Sequence, residues 1–316
     1  MKKLCLCLLL CLLAASARAD EIFGAGFPSV TNYMADDGTI LYHIPEDNAL
    51  KVFSALGDYS IDLPREYSDI WQIDYADPQT FTLICKTGTG YTVVPIQDKT
   101  VQPAVALPEY AVIIHRPLDS HVYYHTRDDS RLCRFNWKTG EETTLLPRVG
   151  GLYLADRWNG SDYLVVTLPN EKGEYRGYFY LMAVDANGGC SEPLALAGGM
   201  ENILGPLCAT PWGNVLIAGT DNNASTLYCY SASGSLLWQV PAECRASRLI
   251  PSRAGFTVVG HHRGGPVTRR EIDMNGQLLD EHIYKAFVPG NGFPVVDGEV
   301  YYAPLIEEDP RFIPLE

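Results

Sequence analysis

Seven times along the chain a turn signal is followed by a short run that is apolar on both faces, and no other feature restricts the fold as tightly. The runs are residues 39–44 after Asp37-Gly38, 81–85 after Asp77-Pro78, 122–126 after Asp119-Ser120 and 163–168 after Asn159-Gly160. Residues 214–219 after Pro211-Trp212-Gly213, 256–260 after Ala254-Gly255 and 300–305 after Asp297-Gly298 complete the set. The turn positions 38, 78, 119, 160, 213, 255 and 298 lie 40, 41, 41, 53, 42 and 43 residues apart. A more polar run follows in most units, at 49–53, 91–96, 131–136, 178–184, 226–230 and 268–273. Behind it come glycine turns, Thr139-Gly140, Asn187-Gly188, Ser233-Gly234 and Asn275-Gly276, where a positive φ costs glycine little. An inner run, such as 70–75 or 111–116, precedes each first turn, and an outer one ends the unit. Residues 211–240 show the meander most plainly.

A strand that is apolar on both faces must be covered on both sides. Stacking sheet upon sheet around an axis achieves this and leaves only short edges. A period near 43 is the length of one four-stranded blade, so the expected fold is all-β: a seven-bladed β-propeller of four-stranded antiparallel blades. No segment carries a helical moment longer than two turns, so helix content should be very low. The longer fourth interval is met by an insertion at 169–177. Gly292-Phe293-Pro294 with Asp297-Gly298 echoes Gly26-Phe27-Pro28 with Asp37-Gly38. From this echo, residues 20–24 are expected to supply the outer strand of the last unit and close the ring.

Lys2-Lys3, the apolar run 4–13 and Ala17-Arg18-Ala19 read as a signal peptide over 1–19, leaving a single propeller domain at 20–316 in a secreted or periplasmic, bacterial protein. Losing Lys2, Lys3 and Arg18 moves the formal charge from −14 to −17, which repels nucleic acid and anionic lipid. Neither is expected as a partner, and no run is long enough to insert in a membrane. A monomer is expected. Beyond the leader's Cys5, Cys7 and Cys11 stand Cys85, Cys133, Cys190, Cys208, Cys229 and Cys244, an even set with no CxxC pair. They allow up to three disulfides, or small buried residues on strands.

At residues 227–238, LYCYSASGSLLW, the chain resembles the repeat of quinoprotein-like (PQQ-type) propellers, in which a docking tryptophan, here Trp238, follows the glycine turn by four residues. Residues 127–132 with Lys138-Thr139-Gly140-Glu141 look more like TolB-type propeller repeats. The resemblance covers nearly all of the chain beyond the leader as an architecture. Elsewhere the tryptophan position holds Thr144, Glu192 and Asp280, so no quinone or other cofactor is expected, and Trp238 reads as a wedge between blades.

The candidate binding residues are charged groups on the loops joining second to third strands, which share one rim: His261, His262 and Arg263; Asp128 and Asp129; Glu46 and Asp47; Asp221; Glu307 and Glu308. Adjacent His261 and His262 point to opposite faces, and His121 and His125 are about 13 Å apart on an extended run, so neither pair can share a metal ion. No metal site or catalytic set is expected. Trp71, Trp137, Trp158 and Trp212 offer surface for a glycan or peptide, although most such rings should fill gaps between blades. The first functional expectation is a non-catalytic scaffold binding a protein, peptide or glycan through its rim loops. The alternative is a glycan hydrolase or lyase with rim carboxylates and His261 or His262 in the central funnel.

Overall fold

The computed structural model of the chain describes residues 31–35, 37–44, 48–88, 90–108, 112–116, 120–126, 128–158, 160–169, 179–196, 200, 202–210, 212–221, 224–252, 254–261, 265–284, 295–296, 299–302 and 313–315. The signal peptide expected at 1–19, the closing strand expected at 20–24 and most of the insertion expected at 169–177 lie outside them.

The described strands form seven antiparallel sheets, one per repeat. Blade one comprises Thr31–Met34, Ile40–Ile44, Ala49–Phe53 and Tyr59–Asp62. Blade five, which holds the clearest repeat, comprises Asn202–Ala209, Asn214–Asp221, Ala224–Ser231 and Leu236–Pro241. In blade two the outer position is shared by Thr100–Val101 and Val105–Ala106, both paired to Gly90–Gln97. Only Val295–Val296, Glu299–Tyr302 and Ile313–Pro314 of blade seven are described. The single helical element among the described residues is a turn of 3₁₀ helix, Arg65–Tyr67.

The buried side chains explain the radial stack. They fall into six clusters, each spanning two consecutive blades. Alternation along each second strand divides its residues between two neighbours. Phe81, Leu83 and Cys85 pack toward blade one, whereas Ile84 packs toward blade three. Val122 and Tyr124 face blade two, and Tyr123 faces blade four. Leu216 and Ala218 face blade six, and Val215 and Ile217 face blade four. A two-residue period with both sets apolar is therefore what drives face-to-face stacking. The first strands of blades three to six touch one another in succession, so they are the innermost. The junction of blades seven and one lies outside the described residues.

The glycine turns adopt the expected left-handed backbone, with φ of 75° at Gly140, 87° at Gly188, 75° at Gly234 and 84° at Gly276. Three of them seat on the preceding blade. A Cβ would come within 3.0 Å of Arg134 Nη1 at Gly188, 2.9 Å of Leu194 Cβ at Gly234 and 2.9 Å of the Trp238 ring at Gly276. Trp238 is a wedge, as read from the sequence. It packs in the cluster between blades five and six, edge-on to Phe256, and its Nε1 donates to Met274 O at 2.8 Å.

The third strands differ from their polar reading. Arg134 and Arg270 are buried, because each guanidinium reaches main-chain carbonyls of a neighbouring blade. Arg134 Nη1 and Nη2 donate to Asp185 O and Ala186 O at 3.3 and 3.1 Å. Arg270 Nη1 donates to Pro241 O and Ala242 O at 3.2 and 3.1 Å. The six cysteines from Cys85 to Cys244 are free thiols, five of them buried. Burial pushes Cys85, Cys208 and Cys229 up to about 12 and Cys244 to about 11, which suppresses thiolate chemistry.

Candidate binding face

Antiparallel order places the starts of the first strands and the loops between second and third strands on one rim, and the glycine turns on the other. On the first of these rims, the innermost strands carry the same irregularity at the same place. In blade two Ile70 pairs with Cys85 and Gln72 with Ile84, so Trp71 is left over. In blade four Leu152 pairs with Val166 and Leu154 with Val165, leaving Tyr153. In blade six Ala246 pairs with Gly260 and Arg248 with Val259, leaving Ser247. Blade five has a larger shift between Ile203 and Leu207. An extra residue in one strand re-aims a side chain out of the pleat.

Both aromatic residues at this position emerge into solvent, Trp71 at 57% and Tyr153 at 41% exposure. Each is braced by an aromatic at the start of its own third strand. Trp71 meets Tyr91 edge-on at 5.9 Å, and Tyr153 meets Phe179 edge-on at 5.4 Å. The braces are equivalent by register, since Tyr91 pairs with Lys86 and Phe179 with Thr167, each one step beyond the partner of the residue preceding the bulge. Tyr153 also lies over Gly151, where a Cβ would stand 3.2 Å from its Cε2. In blade six the corresponding residues are Ser247 and the buried Val267. The rim thus presents two edge-braced aromatics, on the first strands of blades two and four. Such rings bind with little loss of side-chain freedom and accept apolar and polar contacts together.

The charged rim candidates are placed unevenly. Asp128 and Asp129 lie in the blade-three loop of this rim, and Asp129 is consumed within it. Its Oδ1 accepts from Thr126 Oγ1 and its Oδ2 from Arg131 Nε at 2.5 Å, and these two contacts, Thr126 first, hold its carboxyl below the usual range. Arg131 Nη1 reaches on to Thr144 Oγ1 at 3.0 Å. His261 ends the second strand of blade six, Gly255–His261, at the register of Thr167 and Lys86, and so sits on the same rim. Asp221 ends the corresponding strand of blade five, Asn214–Asp221. Glu46, Asp47, His262, Arg263, Glu307 and Glu308 lie outside the described residues. Trp137 is buried in the cluster between blades two and three, and Trp212 leans on Phe256 at 6.4 Å. Among the tryptophans of the sequence reading whose side chains are described, Trp71 is the most exposed; the side chain of Trp158 lies outside them. Tyr153 was not singled out in the sequence, because a bulge changes no residue pattern and shows only in the pairing.

A second convergence of polar groups lies between blades three and four. Asp162 accepts from Arg157 Nε at 2.6 Å, from Arg157 Nη2 at 2.8 Å and from the buried Tyr123 hydroxyl at 2.5 Å. Both carboxylate oxygens are engaged, and the phenol is pushed far up by burial and by that hydrogen bond. His121 stands over the same region with Nδ1 buried and unbonded. Burial first, and Arg134 second, hold its ring below the usual imidazole range. The cluster locks two blades together; it has no open acceptor for a substrate. Among the described residues, no group of three or more histidines, cysteines or carboxylates is arranged to hold a metal ion.

No protein-family model matches the chain, and no curated protein sequence matches it. Solved structures do. Hsv2 of Kluyveromyces lactis aligns over 90% of this chain and 97% of its own at 10% identity, with a TM-score of 0.57. Virginiamycin B lyase of Staphylococcus aureus aligns over 85% and 89% at 10% identity and 0.56. BamB of Moraxella catarrhalis aligns over 86% and 79% at 15% identity and 0.50. These are β-propellers, and at such identities the likeness shows the fold alone: the chain is a β-propeller similar in architecture to all three.

Proposed function

We propose that the protein is a secreted or periplasmic, non-catalytic propeller that binds a segment of a partner polypeptide across the rim bearing Trp71 and Tyr153. One observation carries the reading. The same bulge recurs at the same register of innermost strands, and in two blades it lifts an edge-braced aromatic into solvent. Packing alone asks for no such device, since a regular strand would bury these residues between blades. Asp128, Asp221 and His261, with Glu46, Asp47, His262, Arg263, Glu307 and Glu308 on the neighbouring loops, form the charged surround that selects among partners.

The test is to pan a displayed random-peptide library against the protein and measure the selected peptides on variants. Trp71→Ala with Tyr153→Ala should weaken them by about thirtyfold, the loss of about 2 kcal/mol expected of a central aromatic anchor. Peptides that bind the double variant as tightly as the parent would refute the reading. Binding to a glycan array that is lost in the same variant would keep the face and change the ligand class.

A further inference from the structure

The outer edge of blades five and six carries a second irregularity that the rim does not explain. In blade five Cys229 pairs with Trp238 and Tyr230 with Leu236, leaving Leu237 over. In blade six Glu271 pairs with Asp280 and Ile272 with Leu278, leaving Leu279 over. The two leucines occupy equivalent places behind equivalent glycine turns. Together with Met274 and Leu278 they are 45% to 59% exposed. The Trp238 bond to Met274 O draws the two edges together.

A bulge is one way to blunt an open edge against unwanted pairing, but blunting is served by lysine or proline at such a position, and here the exposed residue is leucine. Beyond the bulge the last strand of blade six, Leu278–Ile283, is exposed along its whole length and ends its sheet, with no described strand paired outside it. The equivalent strand of blade three, Glu141–Leu146, begins with two glutamates and two threonines.

Charge decides what fits this edge. Asp280 stands directly across from Glu271, whose carboxylate is held by Thr257 and by Arg269 Nε at 3.0 Å. Glu281 pairs with Arg270 Nε at 2.9 Å. No cation among the described residues pairs with Asp280, and like charges facing across a ladder are unfavourable. A second copy is a poor occupant. Two-fold antiparallel pairing of residues 278–283 with themselves sets Asp280 against Glu281, in a chain of net charge −14. A strand bearing lysine or arginine opposite Asp280 relieves the repulsion, and apolar residues near its end cover the leucines.

We infer that this edge docks an extended basic and apolar segment of a partner protein, which adds as a further strand to blade six and seats its apolar end on Leu237, Met274, Leu278 and Leu279. Strand addition takes affinity from main-chain hydrogen bonds and selectivity from alternate side chains.

The probe is a blocked peptide of alternating valine and lysine, compared with one of alternating valine and glutamate, on the whole mature protein. The lysine peptide should bind at least tenfold more tightly and slow amide exchange within residues 278–283, leaving residues 141–146 unchanged. Leu237→Ser with Leu279→Ser should weaken it at least tenfold while leaving the melting temperature in place, since both side chains are exposed. Trp71→Ala should not weaken it, which separates this edge from the rim. Equal binding of the two peptides, protection elsewhere than 278–283, or concentration-dependent self-association that protects 278–283 without peptide would each overturn the inference.

Discussion

Arg134 and Trp238 are chemically unlike but do one job. Trp238 Nε1 donates to Met274 O and Arg134 Nη2 to Ala186 O, the same carbonyl of the same turn in different blades. The tryptophan position of blade three holds Thr144, and the arginine reaches the turn from the neighbouring strand instead. Replacing Arg134 by Met keeps much of the stem but removes the side-chain donor to Ala186 O, while Asp185 O keeps Gly188 N at 3.0 Å, and should cost about 1–3 kcal/mol in a denaturant titration. Trp238→Phe, which removes the donor to Met274 O and part of the ring packed in the cluster, should cost about 1–3 kcal/mol. Glycine substitutions separate backbone from packing. Gly140→Ala meets nothing within 4 Å and should cost about 1–2 kcal/mol for its left-handed φ alone, whereas Gly276→Ala also drives a methyl into the Trp238 ring and should cost a further 1–3 kcal/mol. His121 adds a pH dependence. Its folded pKa lies below the unfolded value of 6.5, so the unfolded chain takes up the proton first. Stability is therefore full above pH 6.5 and falls as the pH drops from there through the lowered value. His121→Gln should flatten that segment of the stability curve and leave the carboxylate-driven loss at lower pH.

Strand by strand, the sequence and the structure agree closely, and the reason is local. The run 49–53 is found as Ala49–Phe53, and 214–219 as Asn214–Asp221. Turn chemistry and two-residue alternation are carried by adjacent residues, and a radial stack leaves both faces of a second strand no choice but to be apolar. What could not be read depends on partners far along the chain. The polar look of 131–136 and 268–273 hid Arg134 and Arg270, whose burial rests on carbonyls of other blades. The bulges beneath Trp71 and Tyr153 are properties of pairing, so the charged loops drew attention that the inner strands deserved. The layering makes its own prediction. Amide exchange should be slowest in second strands such as Thr80–Thr87 and Ser161–Thr167 and fastest in the exposed outer strands Glu141–Leu146 and Leu278–Ile283. Among the six thiols from Cys85 to Cys244, a disulfide reagent should reach Cys190 in the native protein and the other five only on unfolding.

Over the whole molecule, blades two to six are each buried between two described neighbours, so none of them has a core of its own to retain when the next one opens. Circular dichroism and tryptophan fluorescence should therefore report one coincident unfolding transition. We propose that residues 20–24 complete blade seven and close the ring; deleting residues 20–26 should then lower the unfolding midpoint by many degrees, and an unchanged midpoint would remove that closure. The functional claim is that the rim of bulged inner strands, and not the rim of glycine turns, meets the partner. Amide exchange with and without a library-selected peptide tests it directly. Slowed exchange at residues 70–72 and 151–154, the starts of the first strands in blades two and four, is the predicted footprint. A footprint confined to the turns at 138–140, 186–189, 232–234 and 274–276 would contradict it.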